Sequence, residues 1–165
     1  MKLSAIDEYS TFLYHQGTNY ASYRLFGAHF TGWCRKSCVR FALWAPHAQK
    51  VSVVGDFNHW DDDANLMERS SQGNGIWVAY IEGLKEGDIY KYAITTASGE
   101  RILKSDPYAF WSEVRPHTAS KLTKLHYTWH DKKWMDSREA YDSYRKPMLT
   151  YEVHLGSWRR GEDGG

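Results

Sequence analysis

The sequence predicts a mainly β protein. Its centre is an immunoglobulin-like antiparallel β-sandwich, with a short helical arm before it and a charged linker after it that leads into one further strand. Three observations carry this prediction. The apolar, β-branched runs 39–45, 51–54, 76–81 and 89–96 follow one another at short spacing. Turn residues separate them: Pro46, Gly55-Asp56, Gly73-Asn74-Gly75 and Gly83. No stretch of helical period lies between them.

In chain order, Ile6, Tyr9, Phe12 and Leu13 are spaced as on a helix, and Gly17 and then Gly27 interrupt the pattern. Residues 1–30 therefore read as a short helix and an irregular arm that must lean on something else. Val39, Phe41, Leu43 and Ala45 alternate with Arg40, Ala42 and Trp44 until Pro46 ends the strand. Val51 to Val54 stop at Gly55. In the run from Ile89, the side chains of Tyr90, Tyr92 and Ile94 share one face, and Lys91, Ala93 and Thr95 share the other, so Lys91 should point outward. Short extended pieces follow at 101–104 and 119–125. Residues 31–130 thus form the sandwich module. Residues 131–165 form the last segment: a charged, weakly helical stretch ending at Pro147, then the strand-like run Met148 to Gly156 and a Gly-rich end. A strand followed by nothing lacks a second partner, so more structure is expected downstream.

Composition excludes several classes. Lys+Arg total 21 against 20 for Asp+Glu, an even balance that argues against a nucleic-acid or anionic-membrane partner. Uninterrupted apolar runs such as Phe41 to Ala45 fall far short of the ~20 residues of a membrane span. Asp7 and Glu8 interrupt any signal-peptide core, and no Asn-x-Ser/Thr acceptor occurs, so a cytoplasmic protein is expected. Cys34 and Cys38 lie in a polar stretch with only His29 near enough to be a third ligand. Two free thiols in a loop are expected there rather than a zinc site. The chain is rich in rings, with 8 Trp, 12 Tyr and 6 Phe. These could build an aromatic core or stand exposed as stacking platforms for sugar faces, and composition leaves both readings open.

The carboxylates give no catalytic arrangement. Asp61-Asp62-Asp63 would need Gly at the sixth place and Glu at the twelfth to be a calcium loop, and these places hold Leu66 and Gln72. A solvated turn is expected instead. Asp106 before Pro107 reads as a turn residue with nothing nearby to pair with it. No catalytic residue, metal or cofactor is expected in this chain.

Several motifs resemble one family, the bacterial 1,4-α-glucan (glycogen) branching enzymes of the α-amylase superfamily. Tyr23-Arg24-Leu25-Phe26-Gly27-Ala28-His29 is similar to that family's N-terminal arm. Val39 to Pro46 and Val51 to Trp60 are similar to the opening of its starch-binding-type module, a pattern shared with debranching enzymes. Leu103 to Phe110, with Arg115 to Ser120, resembles branching more than debranching enzymes. Tyr151 to Arg160 resembles the first strand and following loop of the branching-enzyme (β/α)8 barrel, the rest of which is absent.

The resemblance implies an enzyme that cleaves α-1,4-glucan and re-attaches the segment as an α-1,6 branch with retention. Such chemistry needs a nucleophilic carboxylate and an acid about 5–5.5 Å apart. In the family both follow later barrel strands, so this part alone should be inactive. The resemblance also implies a carbohydrate-binding site at Trp60 and Lys91. An indole face suits the CH face of glucose, and an ammonium donates to hydroxyls. Strong binders carry a second Trp where this chain has Gly99-Glu100-Arg101, so binding should be weak. Trp60 could instead pack over the sandwich edge or against the barrel. Three readings stand: the non-catalytic front of a branching enzyme, a stand-alone glycogen-binding module, and a purely structural sandwich. The implied partner is an α-glucan such as glycogen or amylose, and the protein is expected to be monomeric.

Overall fold

A computed structural model describes residues 6–32, 38–71, 74–138, 140, 142 and 144–158. The chain divides into two compact units, Met1–Leu125 and His126–Gly165. The first unit opens with helices α1 (Glu8–His15) and α2 (Ser22–Leu25). Strands follow as β1 (Gly27–Thr31), β2 (Cys38–Trp44), β3 (Lys50–Gly55), β4 (Glu68–Arg69), β5 (Ile76–Glu82), β6 (Ile89–Thr95), β7 (Arg101–Lys104), β8 (Trp111–Ser112) and β9 (Ser120–Lys121). They form two antiparallel sheets, one in the order β1-β2-β5-β4 and the other β3-β6-β9-β8, with β7 on the second side of β6.

Period-two alternation makes the core. In register, Val39, Phe41 and Leu43 of β2 face the same way as Ile81, Ala79 and Trp77 of β5. Val51 and Val53 of β3 match Ile94 and Tyr92 of β6. Together with Tyr90, Leu84 and Leu122 these inner residues form one buried cluster between the sheets, with the partly buried Ile94 packed against it. The expected strands at 39–45, 51–54, 76–81, 89–96 and 101–104 are all present.

The arm is more ordered than expected. Asp7 caps α1, accepting from the amides of Tyr9 and Ser10 at 3.3 and 2.9 Å. Tyr9 and Phe12 are exposed, and the side of α1 turned inward is carried by Thr11 and Tyr14. Thr11 can be buried because its hydroxyl donates to the Asp7 carbonyl at 3.0 Å. Residues 27–31 are an edge strand rather than irregular chain, pairing Phe30 with Val39 and Ala28 with Phe41. The arm leans on the outward face of the first sheet. Ile6, Leu25 and Phe26 cluster there with Ala42 and Ile76, and with the partly buried Tyr14, Val78 and Tyr108. Phe26 is fully buried, with Tyr14 edge-on at 4.5 Å and Tyr108 stacked at 5.2 Å.

In the second unit α3 (Lys132–Arg138) matches the weakly helical stretch, and α4 (Leu155–Trp158) is a single helical turn. Met148 to His154 are exposed and form no strand, although the run was expected to be strand-like. An apolar alternation becomes a strand only when a neighbouring strand takes up its backbone hydrogen bonds.

Candidate carbohydrate-binding site

The site begins at the end of β3. Gly55 has an extended φ of −177°, so its requirement is space: a Cβ there would lie 2.1 Å from the Ile89 carbonyl oxygen and 2.6 Å from the Phe57 ring. The chain then makes a 3-10 turn, Asp56–Asn58, followed by two left-handed residues, His59 (φ 56°) and Trp60 (φ 61°). Asn58 ties the turn together. Its Oδ1 accepts from the Gly55 amide at 3.0 Å, and its Nδ2 donates to the Val53 carbonyl at 2.9 Å and to Asn65 Oδ1 at 2.8 Å. The Trp60 amide donates to the Gly55 carbonyl at 3.0 Å, and its indole Nε1–H to Asp56 Oδ1 at 2.8 Å. A half-buried ring is thus fixed at both its backbone and its polar edge.

Lys91 lies on β6 opposite Val54 of β3, on the outward row, while its neighbours Tyr90 and Tyr92 point into the core. Its ammonium donates to Thr118 Oγ1 at 2.6 Å, and Thr118 is held in turn by Ser105, whose hydroxyl donates to the Thr118 carbonyl. Gly55 pairs with Tyr90, the residue next to Lys91, and Gly55 also accepts the Trp60 amide. Trp60 and Lys91 therefore belong to the same end of the second sheet.

The acidic run is bound to that sheet. Arg101 grips Asp62 through two hydrogen bonds, the Nη2–Oδ1 contact being 2.8 Å, and Lys50 pairs with Asp63. The guanidinium hydrogen bonds hold the Asp62 carboxyl below the usual carboxylate range. The Asp61 carboxylate accepts the Asp63 amide at 2.8 Å, which shapes the turn.

Asp106 differs from the expected unpaired turn residue. It is buried, and its Oδ2 accepts from the Tyr90 and Tyr92 hydroxyls at 2.7 and 3.1 Å. Its Oδ1 accepts from the Tyr108 amide at 2.8 Å, and its own amide donates to Ser120 Oγ at 2.9 Å. Burial raises its pKa, with the three donated hydrogen bonds opposing. The tyrosines reach it from β6, 14 and 16 residues earlier, a distance at which sequence spacing gives no hint. Cys38 also departs from expectation: it is buried at the start of β2 and disulfide-bonded rather than a free thiol. Its place in the interior, at the level of Glu82 and Thr31, gives it no exposed loop to sit in. Cys34 lies outside the described residues.

One surface escaped the sequence reading. His15, Trp44, Pro46, Arg69, Asn74 and Gly75 line a cleft of about 500 Å³ at the end of the first sheet. Trp44 is 45% exposed, with Tyr14 and His15 edge-on to its ring at 5.8 and 6.4 Å. Arg69 donates to the Pro46 carbonyl at 2.7 Å and lies over the Trp77 ring. The available signal was Trp44's outward place in the β2 alternation, a poor position for a large apolar ring unless something covers or uses it.

Three relatives are similar to almost the whole chain. The 1,4-alpha-glucan branching enzyme GlgB of Bacillus subtilis (strain 168) is 46% identical over 157 residues, covering 94% of this chain and 25% of the relative. That of Desulfitobacterium hafniense (strain Y51) is 50% identical over 154 residues, covering 93% and 24%. That of Halothermothrix orenii (strain H 168 / OCM 544 / DSM 9562) is 50% identical over 165 residues, covering 99% and 26%. The chain spans about a quarter of the length of these relatives. Residues 25–109, more than half of the chain and including both Trp60 and Lys91, match the family described as carbohydrate-binding module 48 (isoamylase N-terminal domain), and the chain belongs to that family.

Proposed function

We propose that this chain is the N-terminal, non-catalytic portion of a glycogen branching enzyme, and that its sandwich binds α-glucan through Trp60 and Lys91. The observation that supports this best is a fixed indole and an outward ammonium at one end of one sheet. A glucose ring offers an apolar CH face to the first and hydroxyl acceptors to the second. The charge balance suits a neutral polymer, and the reading has the protein act as a monomer in the cytoplasm.

Affinity electrophoresis in glycogen gels tests the site. Loss of a stacking ring costs ~1–3 kcal/mol by analogy with base stacking, so Trp60→Ala should lose most of its retardation, and Lys91→Ala a smaller share. Equal retardation of both variants and the parent would place the site elsewhere. The Trp44 cleft combines a held ring with hydrogen-bonding side chains and supports a second contact for the same ligand class. Under that reading, the retardation left in Trp60→Ala should disappear in Trp60→Ala/Trp44→Ala.

The branching reaction itself is assigned to the part of the enzyme this chain does not span. Amylose incubated with the pure chain should keep its iodine absorbance. A fall beyond that of a heat-killed control would show branching or hydrolysis in the chain itself.

A further inference from the structure

We propose that Arg101 is a positioning residue for glucan binding. Paired with Asp62, and seconded by Lys50 with Asp63, it clamps the tip of the Trp60 loop onto the outward face of the second sheet. The inference rests on Trp60 and Lys91 being the glucan contacts.

The registers place the clamp. Lys50 of β3 and Arg101 of β7 both pair with Thr95 of β6, one from each side, so they flank it on a single outward row. Lys91 stands on the same face of β6, four residues away, roughly 13 Å along the strand. The loop leaves β3 at Gly55, beside the Lys91 end, and its tip meets Arg101 and Lys50 at the other end. It therefore runs back across the outward face, where Ser52 and Val54 are buried although they alternate away from the core. Asn58 secures the root of this loop, whereas the tip is joined to the sheet by side chains of opposite charge. Trp60 lies between root and tip.

A neutral ligand gives no electrostatic reason for salt-dependent affinity; a loop held by partly exposed ion pairs does, because salt screens them. The test follows the Trp60 indole N–H cross-peak of the whole chain by NMR, titrating maltoheptaose at about 20 mM and about 500 mM NaCl. Exposed pairs contribute roughly 0.2–1 kcal/mol, so the parent Kd should rise about 2–5-fold at high salt. Arg101→Leu should bind about 2–5-fold more weakly than the parent at low salt and lose most of the salt dependence. The charge swap Arg101→Asp/Asp62→Arg should recover affinity. Without sugar, Arg101→Leu should already shift or broaden the indole peak.

An Arg101→Leu variant with the parent's Kd, or a parent Kd indifferent to salt, would overturn the clamp. If maltoheptaose moves no indole peak in the parent, the glucan-site reading fails. The sugar-free comparison then decides the clamp alone: an unmoved Trp60 peak in Arg101→Leu overturns it, and a moved one upholds it.

Discussion

Replacing Asp106 with alanine is expected to cost about 3–5 kcal/mol of folding free energy, read as a fall in urea midpoint at unchanged slope. The mutation removes one acceptor group but strands three donors: the hydroxyls of Tyr90 and Tyr92 and the amide of Tyr108. A buried donor left unpaired costs ~1–3 kcal/mol, and donors sharing one partner add to less than their sum. Converting both tyrosines to phenylalanine in the Asp106→Ala background should recover part of the loss, since removing both sides of a buried hydrogen bond is far cheaper than removing one. A triple variant no more stable than Asp106→Ala would show that the loss comes from packing. The carboxyl also sets a pH dependence. Its pKa is raised in the fold by burial, so the folded state binds the proton more tightly than the unfolded chain does. That contribution is fully present below the ordinary value of 3.8 and is lost as pH rises through the raised value. Urea midpoints at several pH values should therefore show the parent gaining on Asp106→Asn as pH falls from neutral into the ordinary carboxylate range.

Phe26→Ala should be equally damaging, by about 3–5 kcal/mol, as for other fully buried rings. For a domain of this size that corresponds to a Tm drop of more than about 10 °C. Its measurement decides whether the arm belongs to the sandwich's cooperative unit. Phe26 packs between Tyr14 and Tyr108, over a sheet face made by Ala42, Ile76 and Val78. Calorimetry should show one transition shifted as a whole. A small early transition, with the main one unmoved, would mean that the arm melts separately.

These positions also mark how far the sequence could be read. Strands whose alternation is written in their own residues were legible: Val39 to Leu43 against Arg40 and Ala42, or Tyr90 and Tyr92 against Lys91. Gly27-Ala28-His29-Phe30-Thr31 was not, because its strand character comes from pairing with β2, and no alternation advertises it. β4 and β8 are two residues each, too short to carry a period. The need of the arm for support could be deduced, but not which face would give it. The turn ending in Trp60 was visible as a motif. The side chains that hold it in place were not, since Arg101 and Asp62 are 39 residues apart and either could have been a solvated surface charge. Asp106 was read as a turn residue and does make the local Tyr108 contact. Its larger role is set by long-range topology, which places two tyrosines of one strand beside it.

The successive left-handed backbones of His59 and Trp60 have a consequence for the thermodynamics of recognition. A non-glycine residue in that region carries strain of roughly 1–2 kcal/mol, which the rest of the turn must hold down while the site is still empty. The orientation of the indole is thereby settled during folding. If Trp60 is the proposed glucan contact, a sugar arriving there would find few rotors left to freeze, and the entropic penalty of ordering the aromatic would fall on the folding equilibrium and not on association. Changes that relax this turn should therefore trade in opposite directions, gaining stability while surrendering affinity.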